Sequence, residues 1–201
     1  MNGGKIQELL ARSRLVHSQP TAAELEHMIE CLSLAVRKGK PGDGFLPDAY
    51  SNLALAFFQS QRLAEAEATL QARTGAGIAL DDDGHMMLCA IVERRSGDLS
   101  AVEECYRAAV SAGVGAAAGF LASLLQKKHD FAGAARLYKK ALKKARTADP
   151  ALLKNYGAVL RHLGRHAAAE AQFRRVLDAT PRDVAALNGL GKSQFDGSGK
   201  I

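Results

Sequence analysis

The sequence predicts an all-α chain, an α-solenoid of antiparallel helix hairpins stacked as a right-handed superhelix, and three observations carry that expectation. Apolar residues recur at spacings of three and four in one segment after another, which is the period of a single helix face. Glycine, proline and capping residues punctuate those segments at short intervals, so each helix is brief and is followed by a turn. A helix-turn-helix pattern restarts at residues 47, 83, 115, 150 and 184, giving periods of 36, 32, 35 and 34. A hairpin of that length can bury its apolar stripe only against its neighbours, so such hairpins stack.

The clearest unit runs from Pro150 to Asp183. Leu153, Tyr156, Gly157 and Leu160 share one face of a first helix, and Gly157 lets another element approach closely. Leu163-Gly164 supplies a turn. Ala169, Phe173, Val176 and Leu177 form the apolar face of a second helix, which Thr180-Pro181 ends. The small residues, Phe173 and Pro181 fall at the spacing of the tetratricopeptide repeat, and this segment resembles that family in size class and register. The family's tryptophan and tyrosine slots both hold leucine here, Leu153 and Leu160. The resemblance implies paired antiparallel helices in a TPR-like solenoid that binds a protein segment.

The remaining elements follow in order. Residues 1–46 read as a degenerate helical cap and loop: Ile6, Leu9, Leu10 and Val16 form one stripe, Gln19-Pro20 breaks it, and Thr21 with Glu24 has capping-box spacing. The second cap helix carries Leu25, Met28, Ile29, Leu32 and Ala35, and the glycine- and proline-rich stretch from Lys38 to Pro47 is a loop. Four repeats then occupy residues 47–82, 83–114, 115–149 and 150–183. The first uses Tyr50, Leu53, Ala54 and Phe57 against Ala66 and Leu70. In the second, Met86, Cys89 and Ala90 face Val102, Tyr106 and Ala109, with a turn at Ser96-Gly97-Asp98. Asp81, Asp82 and Asp83 supply its N-cap and favourable charge. Glu93, at a slot more often aromatic, is expected at an exposed edge. The third repeat uses Ala118, Leu121, Ala122 and Leu125 against Ala134, Tyr138 and Ala141. Residues 184–201 begin the pattern again as a single capping helix and a frayed tail.

Motifs for chemistry are weak. Gly189-Leu-Gly-Lys192-Ser193 resembles the end of a phosphate loop, but Ala186 stands where that loop needs glycine, and no strand precedes it. His162 and His166 flank a turn and should not share a helix face. No nucleophile, base and acid set carries a recognisable signature, so the expectation is a non-enzymatic protein with no cofactor, metal or catalytic residue. Three cysteines without a C-x-x-C pair, all at helical positions, read as free thiols and hence as a reducing, cytoplasmic setting. No apolar run is long enough to span a bilayer.

Charge narrows the partner. Between Lys127 and Arg182 fourteen Lys and Arg face four Asp and Glu, a local balance of +10 that leaves −4 for the remainder of a chain whose net charge is +6. The resemblance implies that first helices line a concave groove, presenting Ser51, Leu55, Phe58 and Gln59, then Met87, Arg94 and Arg95, then Ser123 and Lys127, then Lys154, Arg161 and His162. The groove grades from apolar to basic, so the expected partner is a protein or peptide segment of acidic character. Ser51 and Leu55 replace the lysine and asparagine of the clamp with which some of these proteins hold a chaperone C-terminus. The alternative is nucleic-acid binding along residues 127–182, with phosphates neutralised by the Lys139 to Arg146 stripe, which includes Lys140, Lys143 and Lys144, together with Arg174, Arg175 and Arg182. That stripe has no interleaved aromatics for base stacking.

Overall fold

The computed structural model describes residues 20–40, 42–144 and 149–198. Among them are ten α-helices and no strand. The helix expected over Lys5 to His17 lies outside the described residues, as does the end of the tail. The chain divides into two compact units, Met1–Asp98 and Leu99–Ile201, with the division at the Ser96-Gly97-Asp98 turn inside the repeat of residues 83–114.

The first unit holds α1 (Ala22–Lys38), α2 (Leu46–Gln59), α3 (Leu63–Gly75) and α4 (Asp82–Ser96). The capping box at the start of α1 forms as the spacing requires: the Thr21 backbone N–H donates to Glu24 at 2.7 Å, and the Glu24 N–H donates back to Thr21 Oγ1 at 3.3 Å. Leu25, Ile29, Leu32 and Ala35 of α1 are buried in one core with Ala49, Leu53, Ala54 and Phe57 of α2, Ala66 and Leu70 of α3, and Ile91 of α4. Asp81 caps α4 by accepting from the Gly84 N–H at 2.7 Å. Glu93 is exposed, at the open edge expected for it.

The Arg73 side chain crosses this unit's interior and is 4% exposed. It donates from Nη1 to Ser51 Oγ at 2.6 Å and from Nη2 to Asp81 at 3.0 Å, tying α3 to α2 and to the cap of α4. Burial tends to raise the Asp81 carboxyl, but the Gly84 N–H and the Arg73 guanidinium outweigh it and hold the group below its usual range.

The second unit holds α5 (Leu99–Ser111), α6 (Ala117–Lys127), α7 (Phe131–Lys144), α8 (Pro150–His162), α9 (His166–Ala179) and α10 (Val184–Gly197). Each helix packs on the next, and the first helices α6 and α8, then α8 and α10, also touch. Gly164 turns the chain between α8 and α9 at φ +69°, so His162 ends one helix and His166 begins the other. The Phe173 ring of α9 lies between two glycines. A Cβ on Gly157 of α8 would fall 2.8 Å from it, and a Cβ on Gly189 of α10 would fall 2.4 Å from it. Gly189 to Ser193 lie within α10, and the buried Ser193 hydroxyl donates to the Gly189 carbonyl at 2.8 Å, so this stretch forms no phosphate loop.

The reading of three free thiols holds for Cys31 and is corrected at Cys89 and Cys105, both of which are disulfide-bonded. Helical spacing reports the face a cysteine occupies and not what lies opposite it. The thiol argument for a reducing compartment falls with this correction. No helix among the described residues is long and apolar enough to cross a membrane.

Candidate functional site

In the first unit the expected groove residues fall into two groups. Leu55 is 40% exposed and Gln59 is exposed, both on α2. Arg94 lies over the Phe58 ring at 4.3 Å, a cation–π contact between α4 and α2, and Met87 is half-buried against the same core. Ser51 is occupied by Arg73, and Arg95 forms an ion pair with Glu67 of α3. Of these side chains, Leu55 and Gln59 are exposed and stand open to a partner.

The second unit contains an open cleft of about 520 Å³ between α6 and α8. Gly119, Phe120 and Ser123 form one wall, Leu152 and Asn155 the other, and Ala141 of α7 part of the floor. Gly119 leaves room for Leu152, since a Cβ there would fall 2.8 Å from Leu152 Cδ1. Phe120 is 53% exposed yet held in place, its ring stacked on buried Tyr106 at 5.7 Å and 7°. Below the opening, fully buried Tyr138 of α7 shares a 2.8 Å hydrogen bond with Ser123 Oγ and donates to Gln126 at 3.3 Å. Burial raises the Tyr138 phenol, against the hydrogen bonds it shares with Ser123 and Asn155. The Ser123 hydroxyl at the cleft surface is thus oriented from beneath.

Of the residues expected in this half of the groove, Ser123 lines the cleft, and Lys127 is exposed one turn beyond it on α6. Lys154 and Arg161 are drawn into the structure instead. Lys154 Nζ sits 2.7 Å from Asp183, the N-cap of α10, and Arg161 Nη1 sits 3.1 Å from Asp196 near the end of α10. His162 stacks on Phe131 at 4.5 Å. Spacing within α8 places Lys154 and Arg161 on the side toward α10, but their carboxylates lie 29 and 35 residues away in the sequence. Local reading does not reach that far. Spacing alone does not single out Phe120, Leu152, Asn155 and Tyr138 as site residues; the available signal is an aromatic at Phe120, where the other hairpins carry Asn52, Leu88 and Asn155 in the same register.

On the outer side, Arg136, Lys139, Lys140 and Lys143 of α7 are exposed, while Arg174 pairs with Glu170 at 2.8 Å and Lys128 pairs with Glu103 at 2.5 Å. Among the described residues no three His, Cys, Asp or Glu side chains are grouped to hold a metal ion.

These pairings carry a pH dependence. Lys154 holds the Asp183 carboxyl below its usual range, and Lys128 with Arg107 does the same for Glu103. A carboxyl depressed in the folded state contributes stability that is present above its unfolded pKa of about 4 and is lost as pH falls through the lower folded value. The melting midpoint, followed by circular dichroism, should therefore fall between about pH 5 and pH 2. Lys154→Met should make that fall shallower. An identical slope in the variant would show that the pair is not coupled to folding.

Residues 121–184 match the family model described as tetratricopeptide repeat. The fold extends that likeness over the rest of the chain. A tetratricopeptide repeat protein from Parabacteroides merdae is 16% identical, with 98% of this chain and 75% of that one covered at a TM-score of 0.68. The C-terminal part of a repeat-containing protein from Cytophaga hutchinsonii is 15% identical over 97% and 71% of the two chains, at 0.70. YrrB, described as a tetratricopeptide protein with an unusual peptide-binding site, is 15% identical over 92% and 95%, at 0.61. No curated protein matches the sequence. Residues 121–184 are thus similar in sequence to the tetratricopeptide repeat family, and the chain as a whole shares the fold of solved tetratricopeptide repeat proteins.

Proposed function

We propose that this protein is a non-enzymatic scaffold that holds a segment of a partner protein in the cleft between α6 and α8. The observation that carries this reading is the cleft itself. It has the volume of a binding site rather than a packing defect, an exposed aromatic fixed by stacking, a hydroxyl oriented by buried Tyr138, and the exposed amide of Asn155. A segment lying there would bury an apolar side chain against Phe120 and Leu152 and satisfy its backbone on Ser123 and Asn155. YrrB, with the same fold, is described as having a peptide-binding site.

Acidic character in the partner would be read by Lys127, since Lys154 and Arg161 already face carboxylates of α10. The charge selectivity is accordingly weaker than the sequence count of cations suggests. The test is to pan a random peptide library against the whole chain and measure the enriched peptides by fluorescence anisotropy. Phe120→Asp and Asn155→Ala should each weaken binding by about tenfold or more, in line with the loss of a central aromatic or of a buried hydrogen bond. Charge reversal at Lys139, Lys140 and Lys143 should leave it within about twofold at physiological salt. Binding that survives the cleft variants and fails with the outer reversal would replace this reading with one centred on α7.

A further inference from the structure

The 34-residue repeat places Val184, Leu187 and Gly191 of α10 in register with Pro150, Leu153 and Gly157 of α8. On α8 that face is covered by the second helix of its hairpin. Leu153 and Leu160 are buried with Ala169, Phe173 and Val176 of α9, and the Phe173 ring sits over Gly157. On α10 the covered side is the other one, where Ala186 and Ser193 are buried and Gly189 meets Phe173. The equivalent positions Leu187 and Gly191 of α10 are bare, and Val184 and Phe195 extend that opening along the helix. Val184 is 69% exposed, Leu187 48% and Phe195 66%, and a Cβ on Gly191 would meet nothing within 4 Å. Residues 184, 187, 191 and 195 lie at steps of three, four and four, so they form one continuous stripe along the helix.

We propose that this stripe docks an acidic amphipathic helix of a partner protein, seated on α10 as α9 is seated on α8, with a bulky side chain over Gly191. Two observations select this occupant. The first is the internal template: the same chain already shows which helix fits this register, with a small residue and an aromatic spaced as Ala169 and Phe173 are. The second is charge. Arg182 and Lys192 are exposed at the rim, whereas Asp183 and Asp196 are engaged by Lys154 and Arg161. Carboxylates on the incoming helix would meet Arg182 just before the stripe and Lys192 beside Gly191, while a second copy, with net charge +6, would be opposed by like charge.

The probe is a synthetic peptide of residues 166–179 carrying Arg174→Glu and Arg175→Glu. It is stapled across positions 167 and 171, which are exposed in α9, so that helix formation is not charged to binding. Anisotropy should report binding to the whole protein. Leu187→Asp should weaken it by about tenfold or more, as should Gly191→Val, which fills the seat of the ring while its Cβ enters open space. A peptide with alanine in place of Phe173 should lose a similar factor. Asn155→Ala in the protein should leave this affinity unchanged, which separates the α10 site from the α6–α8 cleft. The proposal is overturned if the stapled peptide does not bind at about 1 mM, a conventional limit of specific association, or binds both variants equally. It is also overturned if the protein self-associates with rising concentration and Leu187→Asp abolishes that, because the occupant is then a second copy.

Discussion

Phe173→Ala should destabilise the second unit by about 3–5 kcal/mol, the usual cost of removing a fully packed aromatic from a core. The ring is 3% exposed and occupies space that two glycines on different helices leave for it. Alanine would leave a void shared by α8, α9 and α10, and neither Gly157 nor Gly189 has a side chain that could move into it. Because α10 rests on α9 through this ring, the variant should also expose α10 to exchange before the rest of the unit unfolds. Urea unfolding followed by circular dichroism checks the first expectation, and amide exchange checks the second. An unchanged midpoint would mean that the packing between α8 and α10 does not pass through Phe173.

Asp81→Ala should have the next largest effect, on the order of 3 kcal/mol. The carboxylate has two roles: it caps α4 through the Gly84 N–H, and it neutralises Arg73. Removing it costs the cap and leaves a buried guanidinium with Ser51 as its remaining hydrogen-bonded side chain. The cost is asymmetric, since Asp81 is itself about half exposed and could be hydrated if Arg73 were the one removed. Asp81→Ser keeps a capping oxygen and should recover roughly 1 kcal/mol of the loss. Arg73→Met in the Asp81→Ser background should recover most of the rest, because an apolar side chain of similar reach replaces an unpaired buried charge. A double variant no more stable than Asp81→Ser alone would show that the pair is held for packing rather than for charge.

The fold was legible because helical hairpins advertise themselves locally. Apolar spacing placed Leu25, Leu53, Leu121 and Leu153 in the core, and all are buried. Thr21 with Glu24, Asp81, Gly97 and Gly164 each cap or turn a helix where their chemistry suggests. Gly157 serves close packing, against Phe173. The candidate site was less legible, because it depends on which side chains find partners across helices. Lys154 and Arg161 lie on the side their spacing predicts, yet carboxylates on α10 already hold them. Ser51 is held by Arg73, whose burial nothing in its surrounding sequence announces. Phe120 stands open because Tyr106 supports it from another helix, and Ser123 is held by a tyrosine on α7. That Cys89 and Cys105 are each disulfide-bonded was hidden from local spacing in the same way.

The measurement that bears most directly on the scaffold reading is amide hydrogen exchange of the whole chain with and without a peptide selected against it. Exchange should slow in Ala117–Lys127 and Pro150–His162, the two helices that wall the cleft, with protection lost in the Phe120→Asp variant. Protection confined to Phe131–Lys144 and His166–Ala179, with α6 and α8 unchanged, would contradict the scaffold reading and assign binding to the outer helices.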